Sequence, residues 1–137
     1  MSTVYVVSDS RVVAGSLVSA LDFVSTDITT FESAQDFLRT CYHRAPALAV
    51  LDMQVTNMGG IAIAMDLHLE ESGGRLPHIP VLLVLDRQAD VFLAKRAKVE
   101  GYVIKPIQGI KLADAAKMVL AGKQYYDDGH APKTVVA

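Results

Sequence analysis

The chain has 137 residues, of which 51% are hydrophobic and 20% are charged, and its formal net charge is −2 at pH 7. These values predict one globular domain with a single core, and they exclude a disordered chain and a second domain. The charge argues against nucleic-acid binding by this domain. The chain has no secretion-signal pattern and no apolar run long enough to span a membrane. Because Cys41 is the only cysteine, no internal disulfide can form. We therefore expect a cytoplasmic protein.

Apolar runs alternate along the chain with stretches of helical period. In chain order, the five predicted strands are Val4–Val7, Ile28–Phe31, Ala47–Leu51, Val81–Leu85 and Tyr102–Ile104. One predicted helix follows each strand. The apolar residues that mark these helices are, in the same order, Val13, Leu17, Leu21 and Val24; Ala34, Phe37, Leu38, Cys41 and Tyr42; Ile61, Met65 and Leu69; Val91, Leu93 and Ala94 in a short helix; and Leu112, Ala116, Val119 and Leu120.

Three of the five predicted strands, VYVV, ALAVL and VLLVL, are apolar throughout instead of alternating. This pattern indicates parallel strands that are covered by helices on both faces. Five strand–helix units in strict alternation predict a doubly wound α/β sandwich. The residues from Tyr125 onward lose the helical period and predict a tail or the beginning of a linker.

Polar side chains follow the strands at the sheet edge where ligands bind in folds of this class. Asp9, Asp52 and Lys105 each come just after a predicted strand. Two neighbouring carboxylates repel each other unless a cation lies between them, and Mg²⁺ prefers such oxygen ligands. A lysine opposite them would neutralise a transferred phosphoryl group. Each of these residues also has a simpler interpretation, since Asp52 could form a turn, Asp9 could cap a helix and Lys105 could be a surface lysine.

Asp9, Asp52 and the pair Lys105-Pro106 form a set, with Tyr102 three residues before the lysine. This set resembles the site of receiver domains in two-component response regulators. The resemblance covers the chain from Val4 to about Tyr126. The resemblance implies a flavodoxin-like sheet of five parallel strands in the order 2-1-3-4-5 with five helices. It also implies a signalling module rather than an enzyme.

Two further segments, FESAQDFL and LADAAKMVLAGKQYY, resemble the receivers of LuxR/FixJ-type transcriptional regulators. This narrower resemblance implies a receiver domain over residues 1–126. It further implies that residues 127–137 form a flexible tail or the start of a linker to a DNA-binding output domain outside this chain. A stand-alone receiver is the alternative.

The resemblance assigns a role to each matching residue. Asp52 would accept the phosphoryl group from a sensor histidine kinase, and Lys105 would pair with the phosphoryl oxygens. Mg²⁺ would be bound by Asp9, Asp52 and the backbone carbonyl of Gln54. The peptide bond before Pro106 would be cis. Helix 4, strand 5 and helix 5 would form the signalling face, through which a homodimer could also form.

Several positions depart from the family pattern. Ser8 replaces the first acid of the usual pair, so we expect weak Mg²⁺ binding. Leu85 replaces the Thr or Ser that works with the aromatic switch, here Tyr102, unless a slip of one residue puts Asp86 there. In the turn after the acceptor, the usual Met-Pro and Asp-Gly pairs are replaced by Val55-Thr56 and Gly59-Gly60. The alternative function is therefore a degenerate receiver that mediates protein interaction or dimerisation without phosphorylation.

Overall fold

The computed structural model describes residues 2–55 and 58–127, so Thr56 and the predicted tail from residue 128 onward lie outside the described residues. The elements in chain order are β1 (Thr3–Val7), α1 (Arg11–Leu21), β2 (Asp27–Phe31), α2 (Ala34–His43), β3 (Leu48–Asp52), α3 (Gly60–Ser72), β4 (Val81–Leu85), a 3-10 turn (Gln88–Asp90), α4 (Val91–Arg96), β5 (Gly101–Ile104), α5 (Gly109–Leu120) and β6 (Tyr125–Tyr126).

The strands form one parallel sheet in the order β2-β1-β3-β4-β5-β6. The first five strands confirm the predicted order 2-1-3-4-5. The structure adds a sixth, two-residue strand to the five predicted ones, because Tyr125 and Tyr126, which the sequence pattern places in a tail, pair with Gly101 and Tyr102. A two-residue strand has too few positions to produce a detectable period, so only the tertiary pairing reveals it.

Helices cover both faces of the sheet, as the uniformly apolar strands predict. Ala49 and Leu51 of β3 pack on the side of α2, α3 and α4, together with Phe37 and Ile63. Leu48 and Val50 lie on the opposite side, where α1 and α5 supply the other half of the core. In residues 2–55 and 58–127, none of the helices is long and apolar enough to cross a bilayer.

Serine hydroxyls begin two of the helices. Ser10 caps α1 by accepting a hydrogen bond from the backbone N–H of Val13, and Ser33 caps α2 through the N–H of Asp36. The structure thus gives the capping role at α1 to Ser10, not to Asp9.

The buried face of α3 differs from the predicted one. Met65 and Leu69 were expected to mark the core stripe, but both are exposed, whereas Ile63, Ala64 and Leu67 are buried. Because the first turns of α3 are apolar nearly all round, the sequence pattern does not select a face there. Packing against β3 and β4 makes that choice.

Gly101 lets β6 approach β5 closely. A Cβ atom at this position would lie 2.9 Å from the backbone oxygen of Tyr125 and 3.1 Å from side-chain atoms of Leu82 and Val119. We expect Gly101→Ala to lower the free energy of unfolding by about 1–3 kcal/mol, because the closest contact is with backbone that cannot rotate away. Denaturant titration measures this change, and hydrogen exchange at the Asp127 amide, which donates to Tyr102, should accelerate.

Gly15 in α1 provides a matched control, because a Cβ atom there would meet nothing within 4 Å. We expect Gly15→Ala to raise stability by about 0.5–1 kcal/mol, since alanine is the better residue in a helix interior. Equal stability of the two variants would contradict the proposed packing of β6.

His78 joins the end of α3 to the start of β5. Its Nδ1 lies 2.8 Å from a carboxylate oxygen of Glu71, and its Nε2 lies 2.9 Å from a carboxylate oxygen of Glu100. The hydrogen bond with Glu71 is the main cause that raises the pKa of His78 above 6.5, and burial opposes it in part. Since two acceptors flank the ring, the protonated form is favoured in the folded state.

A raised pKa in the folded state makes the stabilisation by His78 pH-dependent. The contribution is complete below about pH 6.5, the pKa in the unfolded chain, and is lost as the pH rises through the higher folded-state pKa. Because the imidazole is partly exposed, we expect the change to be below about 1 kcal/mol. Denaturant titrations at about pH 6 and pH 8.5 check it. His78→Gln should remove this part of the pH dependence, and an unchanged profile in that variant would contradict the assignment.

Candidate functional site

Asp52 is a buried carboxylate with partners on both oxygens. It is the last residue of β3, and only 1% of it is exposed. The Ser8 hydroxyl donates to Oδ2 at 2.9 Å, and the Lys105 ammonium donates to Oδ1 at 2.9 Å. The backbone N–H of Gln54 also reaches Oδ1, at 3.2 Å. A buried carboxylate needs such partners, because leaving its charge unpaired would cost several kcal/mol.

The parallel register of the sheet brings these residues together. Asp52 is paired with Val84, and Leu85 with Ile104, so β3, β4 and β5 end side by side. The backbone N–H of Lys105 then donates to the carbonyl of Leu85 at 2.8 Å, which places the lysine at this edge. The Lys105–Pro106 peptide bond is cis.

The glycine pair after Asp52 allows α3 to begin directly against the end of β3. A Cβ atom at Gly60 would lie 2.6 Å from the backbone oxygen of Asp52, and one at Gly59 would lie 2.9 Å from that of Met53. The Gly60 N–H donates to the same Met53 carbonyl. Gly59, which stands where the family has Asp, therefore permits close backbone packing in this turn.

Lys105 lies between two carboxylates. Its Nζ is 2.7 Å from Oδ1 of Asp86, closer than to Asp52. Burial favours the neutral amine, but the hydrogen bonds to Asp86 and Asp52 outweigh it and raise the pKa of Lys105. Burial likewise opposes ionisation of Asp86, yet hydrogen bonds from Lys105 and Gln54 lower the pKa of that carboxyl. Both groups are therefore held in their charged forms.

The contacts that Ser8 and Asp86 make at the site are visible only in the structure. The sequence presents Ser8 as a missing acid, whereas its hydroxyl is a direct partner of Asp52. It presents Asp86 as an alternative switch position, whereas the carboxylate binds Lys105. The available signal was their place directly after buried strands, which is where a parallel sheet assembles its site.

The two residues expected to form the switch lie in the core. Leu85 and Tyr102 are both fully buried and belong to the same cluster of apolar side chains, on the side of α2, α3 and α4. The ring of Tyr102 stacks on that of Tyr126 with a centroid separation of 5.2 Å. Leucine has no hydroxyl to offer a phosphoryl group. At the end of β4, the side chain of Asp86 contacts Lys105, whereas that of Leu85 is buried in the core.

Asp9 is exposed in the loop between β1 and α1. Among the described residues, no group of three or more His, Cys, Asp or Glu side chains is placed to hold a metal ion. Mg²⁺ usually keeps several waters and needs only one or two protein carboxylates. Asp9, Asp52 and the backbone carbonyl of Gln54, which the resemblance implies as ligands, offer oxygen atoms that would suit a hydrated Mg²⁺ better than a fully enclosed metal.

Comparison with known proteins agrees with this geometry. The response regulator receiver domain model matches residues 4–117. The transcriptional regulatory protein TdiR of Thauera aromatica is 34% identical over 120 residues, which are 88% of this chain and 52% of that protein. The DNA-binding transcriptional activator DevR/DosR of Mycobacterium tuberculosis is 30% identical over 132 residues, and the match covers 93% of this chain and 58% of the relative.

This chain thus spans little more than half the length of these two relatives. A crystal structure of a two-component response regulator of the LuxR family from Aurantimonas sp. SI85-9A1 has the same fold. Its TM-score is 0.75 at 20% identity, with 91% of this chain and 89% of the other covered. From the sheet order, the site at its edge and these matches together, the chain belongs to the response regulator receiver domain family.

Proposed function

We propose that this receiver accepts a phosphoryl group on Asp52 from a sensor histidine kinase. The observation that supports the proposal best is the 2.9 Å contact between the Lys105 ammonium and a buried carboxylate at the strand ends. In this arrangement, an Asp52 oxygen attacks the phosphorus of phosphohistidine, an acyl phosphate forms and the histidine nitrogen leaves. Lys105 neutralises charge on the transferred group.

General properties of the family support this reading. Receiver domains of two-component systems are phosphorylated by sensor histidine kinases, often dimerise, and are typically signalling modules without enzymatic activity. They generally bind Mg²⁺ at their acidic pocket. In this chain Asp9, Asp52 and the Gln54 carbonyl would hold the ion, which would supply positive charge to the transferred group. We propose that binding is weak, because Ser8 contributes a neutral hydroxyl instead of a second carboxylate.

The role of Ser8 in Mg²⁺ binding can be tested by restoring an acid at that position. We expect Ser8→Asp to strengthen Mg²⁺ binding by about 10- to 100-fold, the effect typical of residues that support metal ligands. Titration calorimetry of the unphosphorylated domain with MgCl₂ measures this change. Ser16→Asp, which adds the same charge on the exposed side of α1, is the control. An equal gain in both variants would attribute the effect to net charge alone.

We further propose a DNA-binding output domain beyond this chain, with signalling through the face formed by α4, β5 and α5. The support is that the relatives named above are transcriptional regulators and are longer than this chain. The receiver would extend through Asp127, because that residue is buried and its carboxylate accepts from the Ile104 N–H and from Lys111. Residues 128–137 would begin the linker.

One observation favours a second candidate, a receiver that works without phosphorylation. Leu85 is packed into the core at the end of β4, so the hydroxyl of a Thr–Tyr switch is missing, and Tyr102 is already buried. Such a domain would act as an interaction or dimerisation module.

Incubation with acetyl phosphate and MgCl₂, followed by intact mass spectrometry, distinguishes the two candidates. Phosphorylation adds about 80 Da, the mass of one phosphoryl group on the nucleophilic carboxylate. The donor stays present until the protein is quenched in acid, so that a short-lived acyl phosphate is still detected. If the mass does not change under these conditions, the second candidate replaces the first.

A further inference from the structure

Asp86 is a charged residue that the proposed phosphoryl transfer does not use. Its carboxylate lies 2.7 Å from the Lys105 ammonium, and the same ammonium lies 2.9 Å from Asp52. The side chains of Lys105 and Asp86 are each 23% exposed, so solvent screens their attraction only in part. In the unphosphorylated protein, the Lys105 ammonium thus forms ion pairs with both Asp52 and Asp86.

Phosphorylation would change this balance of charge. The acyl phosphate on Asp52 would carry about 1.5 to 2 negative charges at neutral pH in place of the single charge of the carboxylate, so about one negative charge is gained beside Lys105. These oxygens compete with Asp86 for the ammonium and repel the Asp86 carboxylate. The contact between Asp86 and Lys105 is therefore weakened when Asp52 carries the phosphoryl group.

Asp86 also lies where its displacement would move the backbone. It is the first residue after β4, and only Arg87 separates it from the 3-10 turn that leads into α4. Arg87 is tied to that turn, since its N–H donates to Asp90 at 3.0 Å. The contact with Lys105 therefore attaches the beginning of the α4 segment to the end of β5. Leu85, the preceding residue, cannot draw this loop inward because it has no hydroxyl.

We propose that the Asp86–Lys105 ion pair is the switch of this receiver, and that phosphorylation of Asp52 separates the pair and moves the loop before α4 outward by charge repulsion. This inference rests on the proposed function of Asp52. In place of a hydroxyl that attracts the phosphoryl group, the chain presents a carboxylate that is repelled by it. Asp86 is a positioning residue in this scheme, since it acts on the acceptor site through Lys105.

Amide hydrogen exchange over residues 87–96 tests the switch, with intact mass measured on the same samples. Wild type, Asp86→Asn and the control Asp22→Asn are compared with and without acetyl phosphate and MgCl₂. Asp22 is an exposed acid at the end of α1, so its variant loses the same charge away from the site.

In wild type, we expect the donor to add one phosphoryl mass and to speed exchange in this segment about two- to fivefold, the range for loss of one partly exposed ion pair. Asp86→Asn should exchange at that faster rate without donor, should still gain the phosphoryl mass, and should change little further when phosphorylated. Asp22→Asn should behave as wild type.

Two results would overturn the switch while leaving the proposed function intact. One is wild type that gains the mass with unchanged exchange in residues 87–96. The other is Asp86→Asn that keeps the wild-type exchange rate or its wild-type response to the donor. An Asp86→Asn variant that no longer gains the mass would place Asp86 in the transfer itself and contradict a positioning role. Wild type that gains no mass would instead refute the proposed function, and the switch would fall with it.

Discussion

Asp52→Asn is expected to abolish phosphorylation by acetyl phosphate. The amide oxygen can still accept the hydrogen bond from Lys105, but the neutral amide is not a nucleophile toward phosphorus. Because the two side chains have nearly the same shape, the fold should be kept, and the loss of one charge also reduces repulsion with Asp86 around Lys105. Intact mass spectrometry should show the addition of about 80 Da in wild type and none in the variant.

A second variant tests whether Asp52 is specifically required. Asp114→Asn changes an exposed acid on α5 and should be phosphorylated as wild type is. If Asp52→Asn still gains the phosphoryl mass, the acceptor lies elsewhere. Peptide mapping after borohydride reduction, which marks an acyl phosphate, would then identify the aspartate that carries it.

Lys105→Met is expected to affect both stability and transfer. Methionine fills a similar volume but leaves the Asp52 and Asp86 carboxylates without the cation between them. Removal of one partner of a buried ion pair typically costs about 3–5 kcal/mol. The Ser8 hydroxyl and the Gln54 N–H still donate hydrogen bonds to Asp52. We therefore expect the free energy of unfolding to fall by about 3 kcal/mol, near the lower end of that range. Urea unfolding followed by circular dichroism measures it.

The transfer rate in Lys105→Met should fall about 100-fold, the usual effect of losing one group that stabilises charge in the transition state. The initial rate of phosphoprotein formation with acetyl phosphate, measured where both proteins are folded, checks this. Lys117→Met, which removes an exposed lysine from α5, is the control for charge. A wild-type rate in Lys105→Met would contradict the proposed role of the ammonium.

A double variant separates the electrostatic part of the stability loss. In Lys105→Met with Asp52→Asn, the buried position no longer carries a charge that lacks a cation. We therefore expect the double variant to be more stable than Lys105→Met alone, so that the two effects do not add. Strict additivity of the two free-energy changes would mean that Lys105 and Asp52 do not interact in solution.

Much of the fold can be predicted from the sequence because burial on both faces leaves a local signature. The runs VYVV, ALAVL and VLLVL have no polar member, and this pattern is typical of parallel strands between two helical layers. Two of the helices, α1 and α2, begin at recognisable serine caps, Ser10 and Ser33. The core side of α3 could not be predicted, since Met65 and Leu69 are as apolar as the buried Ile63 and Leu67.

For the site, too, one part can be predicted from the sequence and another part cannot. The positions of Asp52 and Lys105 directly after buried strands can be identified from the sequence, and the ends of parallel strands meet at one edge of the sheet. The division of the Lys105 contacts between Asp52 and Asp86, and the hydrogen bond that Ser8 donates to Asp52, are visible only in the folded structure. Those contacts join residues 19 to 53 positions apart in the chain. Spacing along the sequence is enough to place a residue at the end of a strand. The choice of hydrogen-bond partner depends instead on differences of a few tenths of an ångström in the separation of packed elements, and that spacing does not set how the elements pack.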